Sequence, residues 1–177
     1  IASVGGDAFY GTAWLNNQPD GCVYINNCLY TYKGEMPENT HINVKEGTTK
    51  ICDFAFFECS SLTSVTIPNS VTYIGFGTFS NCTSLTSITI PNNVTSIEEE
   101  TFADCSSLST ISIPNSVTSI EKSAFYSCTS LTSITIPDGV TTIKQQAFDG
   151  CSGLTSITLP ESLTSIGSYV FSGCSGL

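Results

Sequence analysis

Arginine is absent from these 177 residues, and five lysines stand against fifteen acidic side chains, for a formal net charge of −10. Surfaces that follow nucleic-acid phosphates or anionic lipid headgroups are built from clustered cations, so the composition excludes both. No apolar run approaches the roughly 18 residues of a membrane helix. There is one histidine, and with it goes any metal motif built on paired imidazoles. No glycine-rich phosphate loop and no G-x-S-x-G elbow occurs. Nine cysteines are present, yet none sits at the close paired spacing of a four-cysteine zinc site. Catalytic, cofactor and metal residues are therefore all expected to be none. Only 11% of the chain is charged; serine (26) and threonine (24) supply the polarity.

What is present is a repeat. Cys59, Cys82, Cys105, Cys128, Cys151 and Cys174 lie 23 residues apart, each followed three residues later by Leu62, Leu85, Leu108, Leu131, Leu154 or Leu177. Further columns keep the same step: Val65 to Ile157, Ile67 to Leu159, Pro68 to Pro160, Val71 to Leu163, Ile74 to Ile166 and Phe56 to Phe171. The unit reads C-x2-L-x2-I-x-I-P-x2-V-x2-I-x4-F. A unit this short cannot enclose a core, so each rung must bury its apolar columns against the next.

The Val/Ile-x-Ile-Pro segment alternates faces, which predicts one strand per rung, stacked in parallel about 4.8 Å apart. Proline has no N–H and ends the ladder at the same place in each rung. The later part of the unit, such as 98–104, has room for one or two helical turns on the opposite side. Helix being wider than strand, the expected fold is a curved, right-handed α/β solenoid with a parallel sheet on its concave face and short helical turns on its convex face.

Upstream the pattern weakens. Ile42, Val44, Ile51 and Phe56 keep register, with Met36 in the cysteine column and Asn39 in the leucine column; Ile1, Val4, Ala8 and Phe9 match the tail of a unit. Residues 22–32 hold two β-rich runs around Asn26-Asn27, which predicts a hairpin, and 11–21 is its leading loop. In that hairpin Cys28 would face Ile25 and Cys22 would face Thr31, which disfavours a Cys22–Cys28 bridge. The organisation is thus 1–35, a repeat tail plus hairpin insert, and 36–177, the array, in one continuous domain. The chain starts inside one unit and stops four residues into another, so it is expected to be part of a longer array with an exposed apolar end.

The outward strand positions are His41 and Asn43, Ser64 and Thr66, Ser87 and Thr89, Thr110 and Ser112, Ser133 and Thr135, Ser156 and Thr158. They form an almost uncharged hydroxyl face, the candidate ligand surface. Aromatic residues gather in the atypical rung; Trp14, Tyr24, Tyr30 and Tyr32 are candidate edge contacts, with core packing as their alternative role. Glu98–Glu100, Asp104 and Glu121 fall on the helical side, as a solvated acidic face or a calcium site. The column cysteines are expected to be buried, reduced thiols, with Cys22, Cys28 and Cys52 more accessible.

The unit, as in 116–137 (SVTSIEKSAFYSCTSLTSITIP), resembles the BspA-like leucine-rich repeats of bacterial surface proteins over about 36–177, and 1–9 as a repeat tail. Residues 8–14 and 17–21 are similar to an insert seen in such proteins. The resemblance implies a non-enzymatic extracellular module at a bacterial cell surface that binds a macromolecule, a host matrix protein or another cell surface, with no nucleic-acid partner and no insertion into the membrane. It brings no catalytic residues. The rival readings are a structural spacer that displays another domain, and an enzyme.

Overall fold

A computed structural model describes residues 4–177; Ile1, part of the expected repeat tail, lies outside them. One helical turn, α1 (Ala13–Asn16), precedes the hairpin strands β1 (Gly21–Ile25) and β2 (Cys28–Lys33). Two strands per rung follow. The longer ones are β3 (Thr40–Asn43), β5 (Leu62–Thr66), β7 (Ser87–Thr89), β9 (Thr110–Ser112), β11 (Ser133–Thr135) and β13 (Ser156–Thr158). The shorter are β4 (Lys50–Ile51), β6 (Tyr73–Ile74), β8 (Ser96–Ile97), β10 (Ser119–Ile120), β12 (Thr142–Ile143) and β14 (Ser165–Ile166).

The longer strands pair in parallel as β3-β5-β7-β9 and β11-β13, in the register the columns demand: Ser64 beside Ser87, Ile88 beside Ile111, Ile134 beside Ile157. The shorter strands form a second parallel wall, β2-β4-β6 and β8-β10-β12-β14. Its two-residue strands end on the column isoleucine, which turns inward in β4, β6, β8, β10 and β12 while its neighbour stays half-buried; in β14 at the end of the stack Ile166 is exposed.

The expected helical turns are replaced by a chain of tight turns, and the backbone gives the reason. Two positions per rung hold positive φ: Phe54, Gly77, Glu100, Ser123, Gln146 and Tyr169, and four residues on, Glu58, Asn81, Asp104, Ser127, Gly150 and Gly173. A left-handed residue stops a right-handed helix within one turn. Between them the N–H groups alternate in destination. Ala55, Phe57 and Cys59 donate three residues back, whereas Phe54, Phe56 and Glu58 donate to Phe76, Thr78 and Ser80 of the next rung. Bonds that an α-helix would keep to itself are spent between rungs.

The hairpin forms as expected around Asn26-Asn27, with Ile25 opposite Cys28. A bulge at Tyr30 then shifts the register, so that Cys22 faces Tyr32 and not Thr31. The bulge turns the Tyr30 ring into a small core with Val23, Cys28 and Cys52, where its hydroxyl accepts from the Phe9 N–H at 2.8 Å. Because β2 pairs with β4, the hairpin extends the shorter-strand wall. That leaves β3 as the first strand of the other wall.

Between the walls runs a column of phenylalanine rings. Phe56, Phe79, Phe102, Phe125, Phe148 and Phe171 stack face to face with centroids 5.1–5.9 Å apart; the first five are fully buried. The cysteine column runs beside it. The thiols of Cys82, Cys105, Cys128, Cys151 and Cys174 donate to the carbonyls of Phe56, Phe79, Phe102, Phe125 and Phe148, at 3.1–3.2 Å. A cysteine here is small enough for the core and still supplies a weak donor to a carbonyl of the rung before. All nine cysteines are free thiols.

Candidate ligand-binding face

The outward positions of the longer strands share one face. His41, Asn43, Thr66, Ser87, Thr89, Thr110, Ser112, Ser133, Thr135, Ser156 and Thr158 are exposed, and Ser64 is half-buried. Strand alternation puts them there: each is flanked by an inward aliphatic residue, as Ile88 lies between Ser87 and Thr89. At the β3 end His41 is held on both ring nitrogens. Nδ1 lies 2.6 Å from the Ser64 hydroxyl, and Nε2 lies 3.2 Å from both Asn43 Oδ1 and the Thr66 hydroxyl. The imidazole is thus fixed over the first two rungs.

Most other hydroxyls are already engaged. Thr63, Thr86, Ser109 and Thr155 donate their side-chain O–H to the carbonyl 23 residues earlier, at 2.9–3.3 Å. Thr72, Thr118, Thr141 and Thr164 do the same along the other wall, at 3.0–3.3 Å. Part of the abundance of serine and threonine thus goes into columns that tie one rung to the last, and part into the outward positions of the β3–β13 face.

The aromatic candidates divide. Trp14 is exposed at its rim but packs on Phe9 and, edge-on, on Tyr30. The Tyr30 ring is buried in the hairpin core and offers no contact surface, a correction that follows from the bulge. Tyr24 is half-buried, its hydroxyl accepting from the Lys45 N–H at 3.0 Å. Tyr32 is half-buried and tilts against Phe56 at the head of the ring stack. Tyr10, with 79% of its surface exposed, is the freest aromatic of the hairpin rung. Since the hairpin extends the opposite wall, none of these residues belongs to the hydroxyl sheet.

Across the molecule, on the turn side, two of the acids are tied to lysines one rung away. Lys122 Nζ lies 2.9 Å from Glu99 Oε1, and Lys144 pairs with Glu121. Glu98 accepts from the Ser96 hydroxyl. Burial pushes the Cys59 and Cys105 thiols up to about 12 and Cys52 and Cys174 up to about 11. Of the three cysteines expected to be more accessible, Cys28 and Cys52 are buried and Cys22 is half-buried. The hairpin core, formed by the bulge and the chain at Val4 and Phe9, encloses the first two. Among the described residues no helix is long and apolar enough to cross a membrane.

A family model described as the BspA-type leucine-rich repeat region matches residues 23–154 and 118–177, in six copies. Among solved structures, a leucine-rich repeat protein from Bacteroides ovatus is 35% identical over 78% of this chain, with a TM-score of 0.71. A leucine-rich repeat protein from T. pallidum is 28% identical over 85% of the chain and 82% of its own, with a TM-score of 0.69. One from Eubacterium ventriosum shares the fold at 23% identity, a TM-score of 0.69 and 83% coverage, 46% of its own chain. The present chain spans 36% of the Bacteroides protein's length. No curated sequence resembles it closely enough to count as a relative.

Proposed function

This chain belongs to the BspA-type leucine-rich-repeat family, and from that premise we propose that it is a non-enzymatic binding module of a bacterial cell-surface or secreted protein. Its partner is a macromolecule, a protein of the host matrix or of another cell, held on the face from His41 to Thr158. The observation that carries this reading is the set of open hydroxyls. Six rungs present paired polar side chains almost without charge, in register within β3–β9 and within β11–β13, while two other hydroxyl columns tie rung to rung. A broad surface assembled from every rung suits an extended partner. Recognition by neutral hydrogen-bonding groups implies affinity that depends weakly on salt.

The test is a panel of purified extracellular-matrix proteins passed over the immobilised chain. A protein that binds is then offered to the Thr89→Glu, Ser112→Glu, Thr135→Glu triple variant and to Lys122→Glu on the turn side. Loss with the triple variant and retention with Lys122→Glu supports the proposal. The reverse pattern moves the site to the turn side, and a panel without binders favours a spacer.

A further inference from the structure

On the turn side one column of the repeat changes size from rung to rung. The residue after each column phenylalanine reads Phe57, Ser80, Ala103, Tyr126, Asp149 and Ser172. Phe57 and Tyr126 are 41% and 36% exposed, while Ser80 and Ala103 between them are each 4% exposed. Two surface rings thus stand three rungs apart, over a floor of small buried side chains. Each rung step measures 5.3–5.6 Å in the phenylalanine column behind them. The result is a cleft of about 420 Å³ lined by all four residues, a volume in the range of small-ligand sites.

The rest of the lining is polar. Of the two positive-φ columns, one supplies Asn81 and Asp104 and the other Glu100. Lys122 lines the cleft as well, its ammonium 2.9 Å from Glu99. Among the described residues neither Glu100 nor Asp104 pairs with a lysine. Burial pushes the half-buried Asp104 carboxyl up, with no bonded donor to offset it. A ligand that complements this cleft therefore brings donors to the carboxylates, acceptors to the Asn81 amide and the Lys122 ammonium, and apolar surface to both rings.

An ammonium or guanidinium supplies donors only. Rings three rungs apart also do not cage one cation, which binds within about 6 Å of a ring centroid. An aliphatic side chain desolvates both carboxylates and bonds to neither. An anion meets Glu100 and Asp104 as like charges. A pyranose carries the required combination: hydroxyls around its edge that donate and accept at once, and C–H groups across its faces that pack on aromatic rings. Linked pyranoses repeat that face along a chain, as the cleft repeats a ring.

We propose that this cleft binds a neutral oligosaccharide, with one sugar ring on Tyr126, another on Phe57, and hydroxyls between them donating to Asp104 and Glu100. The cleft lies on the turn side, away from the hydroxyl face, and does not rest on the reading of that face.

The isotope-labelled chain is titrated with cellotetraose, tetra-N-acetylchitotetraose, maltotetraose, glucose and tetramethylammonium while backbone amides are followed by NMR. At least one tetrasaccharide should saturably shift the amides of Ala103, Asp104 and Tyr126, with glucose much weaker because it reaches only one ring. Tyr126→Ala should weaken that sugar at least about tenfold. Ala103→Tyr, which fills the floor with the residue of the next rung, should abolish the response. Tyr169→Ala, which removes an exposed ring outside the cleft, should leave it unchanged. Silence toward all three tetrasaccharides overturns the proposal, as does a sugar response that survives Tyr126→Ala and Ala103→Tyr. Shifts of the same amides by tetramethylammonium in preference to the sugars overturn the oligosaccharide and make the cleft a cation site. A matrix protein held by the hydroxyl face of a chain that takes no sugar leaves the first reading standing and removes this one.

Discussion

At β6 the ladder to β8 is lost around Tyr73, and at β9 the ladder to β11 is lost around the Ser-Thr-Ile-Ser segment at 109–112, where neighbouring rungs read Thr-Ser-Ile-Thr. The two interruptions lie in opposite walls and end differently. Tyr73 stands where later rungs carry Ser96, Ser119, Thr142 and Ser165. Its ring lies beneath Lys50 Nζ at 4.6 Å, and its hydroxyl donates to Asp53 at 3.4 Å. Burial beside Asp53 and Glu98 pushes that phenol up to about 12. One break is thus associated with an added side chain that occupies its own space, the other with residues no larger than their neighbours', and a cleft of about 370 Å³ lies there. A repeat protein can lose a ladder and fill the place with a side chain; where nothing fills it, a cleft is left.

If the interior column holds the rungs together across both breaks, the largest effect comes from emptying it. Phe102 lies between the two interruptions in chain order, stacked on Phe79 at 5.6 Å and Phe125 at 5.3 Å. Phe102→Ala should cost about 3–5 kcal/mol, read by urea denaturation. A loss under about 1 kcal/mol would mean that the walls carry the stack. Tyr73→Ala should make the filled break resemble the open one, at a cost of about 1–2 kcal/mol for a half-buried ring, with faster exchange of the Gly75 amide, which bonds to the Ile51 carbonyl at 3.0 Å. Unchanged exchange would show that the ring does not seal the gap.

Alkaline titration probes the thiol column that threads past both breaks. Cys59 and Cys105 rise from 9.0 to about 12 on folding because burial penalises the thiolate. The unfolded chain therefore releases these protons first. Stability is fully present below pH 9.0 and falls as pH rises from there toward about 12. Cys105→Ala should flatten part of that fall; an identical pH profile would separate Cys105 from it. The smallest effect belongs to the Ser109→Thr, Thr110→Ser, Ser112→Thr variant, which restores the residues of the neighbouring rungs and should gain about 0.5–1.5 kcal/mol per hydrogen bond regained, with slower exchange of the Thr132 amide.

The 23-residue step was enough to read the parallel stack, the outward hydroxyls and a cysteine column that is buried from Cys82 to Cys151 and half-buried at Cys59 and Cys174, because each follows from alternation and from stacking equivalent residues. The hairpin was legible in Asn26-Asn27, but the Tyr30 bulge was not, since it depends on where Phe9 comes to lie. The helical turns were misread for a physical reason. Residues such as Glu100, Ser123 and Gln146 carry no mark of positive φ, and only the bonds to the next rung require it. The second wall was hidden because two-residue strands leave no alternation to detect. The lost ladder at β9 did have a signal, the Ser-Thr-Ile-Ser rung, but two hydroxyl residues exchanging places looks neutral until the ladder is seen to stop there.

The direction of the bonds between rungs has an electrical consequence. On the strand sides N–H groups run both ways, back from Thr86 to Thr63 and from Thr72 to Thr49, forward from Val44 to Thr66 and from Ile136 to Thr158; on the turn side the bonds between rungs run forward, as from Phe56 to Thr78 and Phe102 to Ala124. An α-helix accumulates a macrodipole with length; strand dipoles alternate and largely cancel within each wall, however many rungs are added. The field of the two walls is then governed by side-chain charge, here the excess of acids over lysines, and that excess can change during evolution without disturbing the backbone.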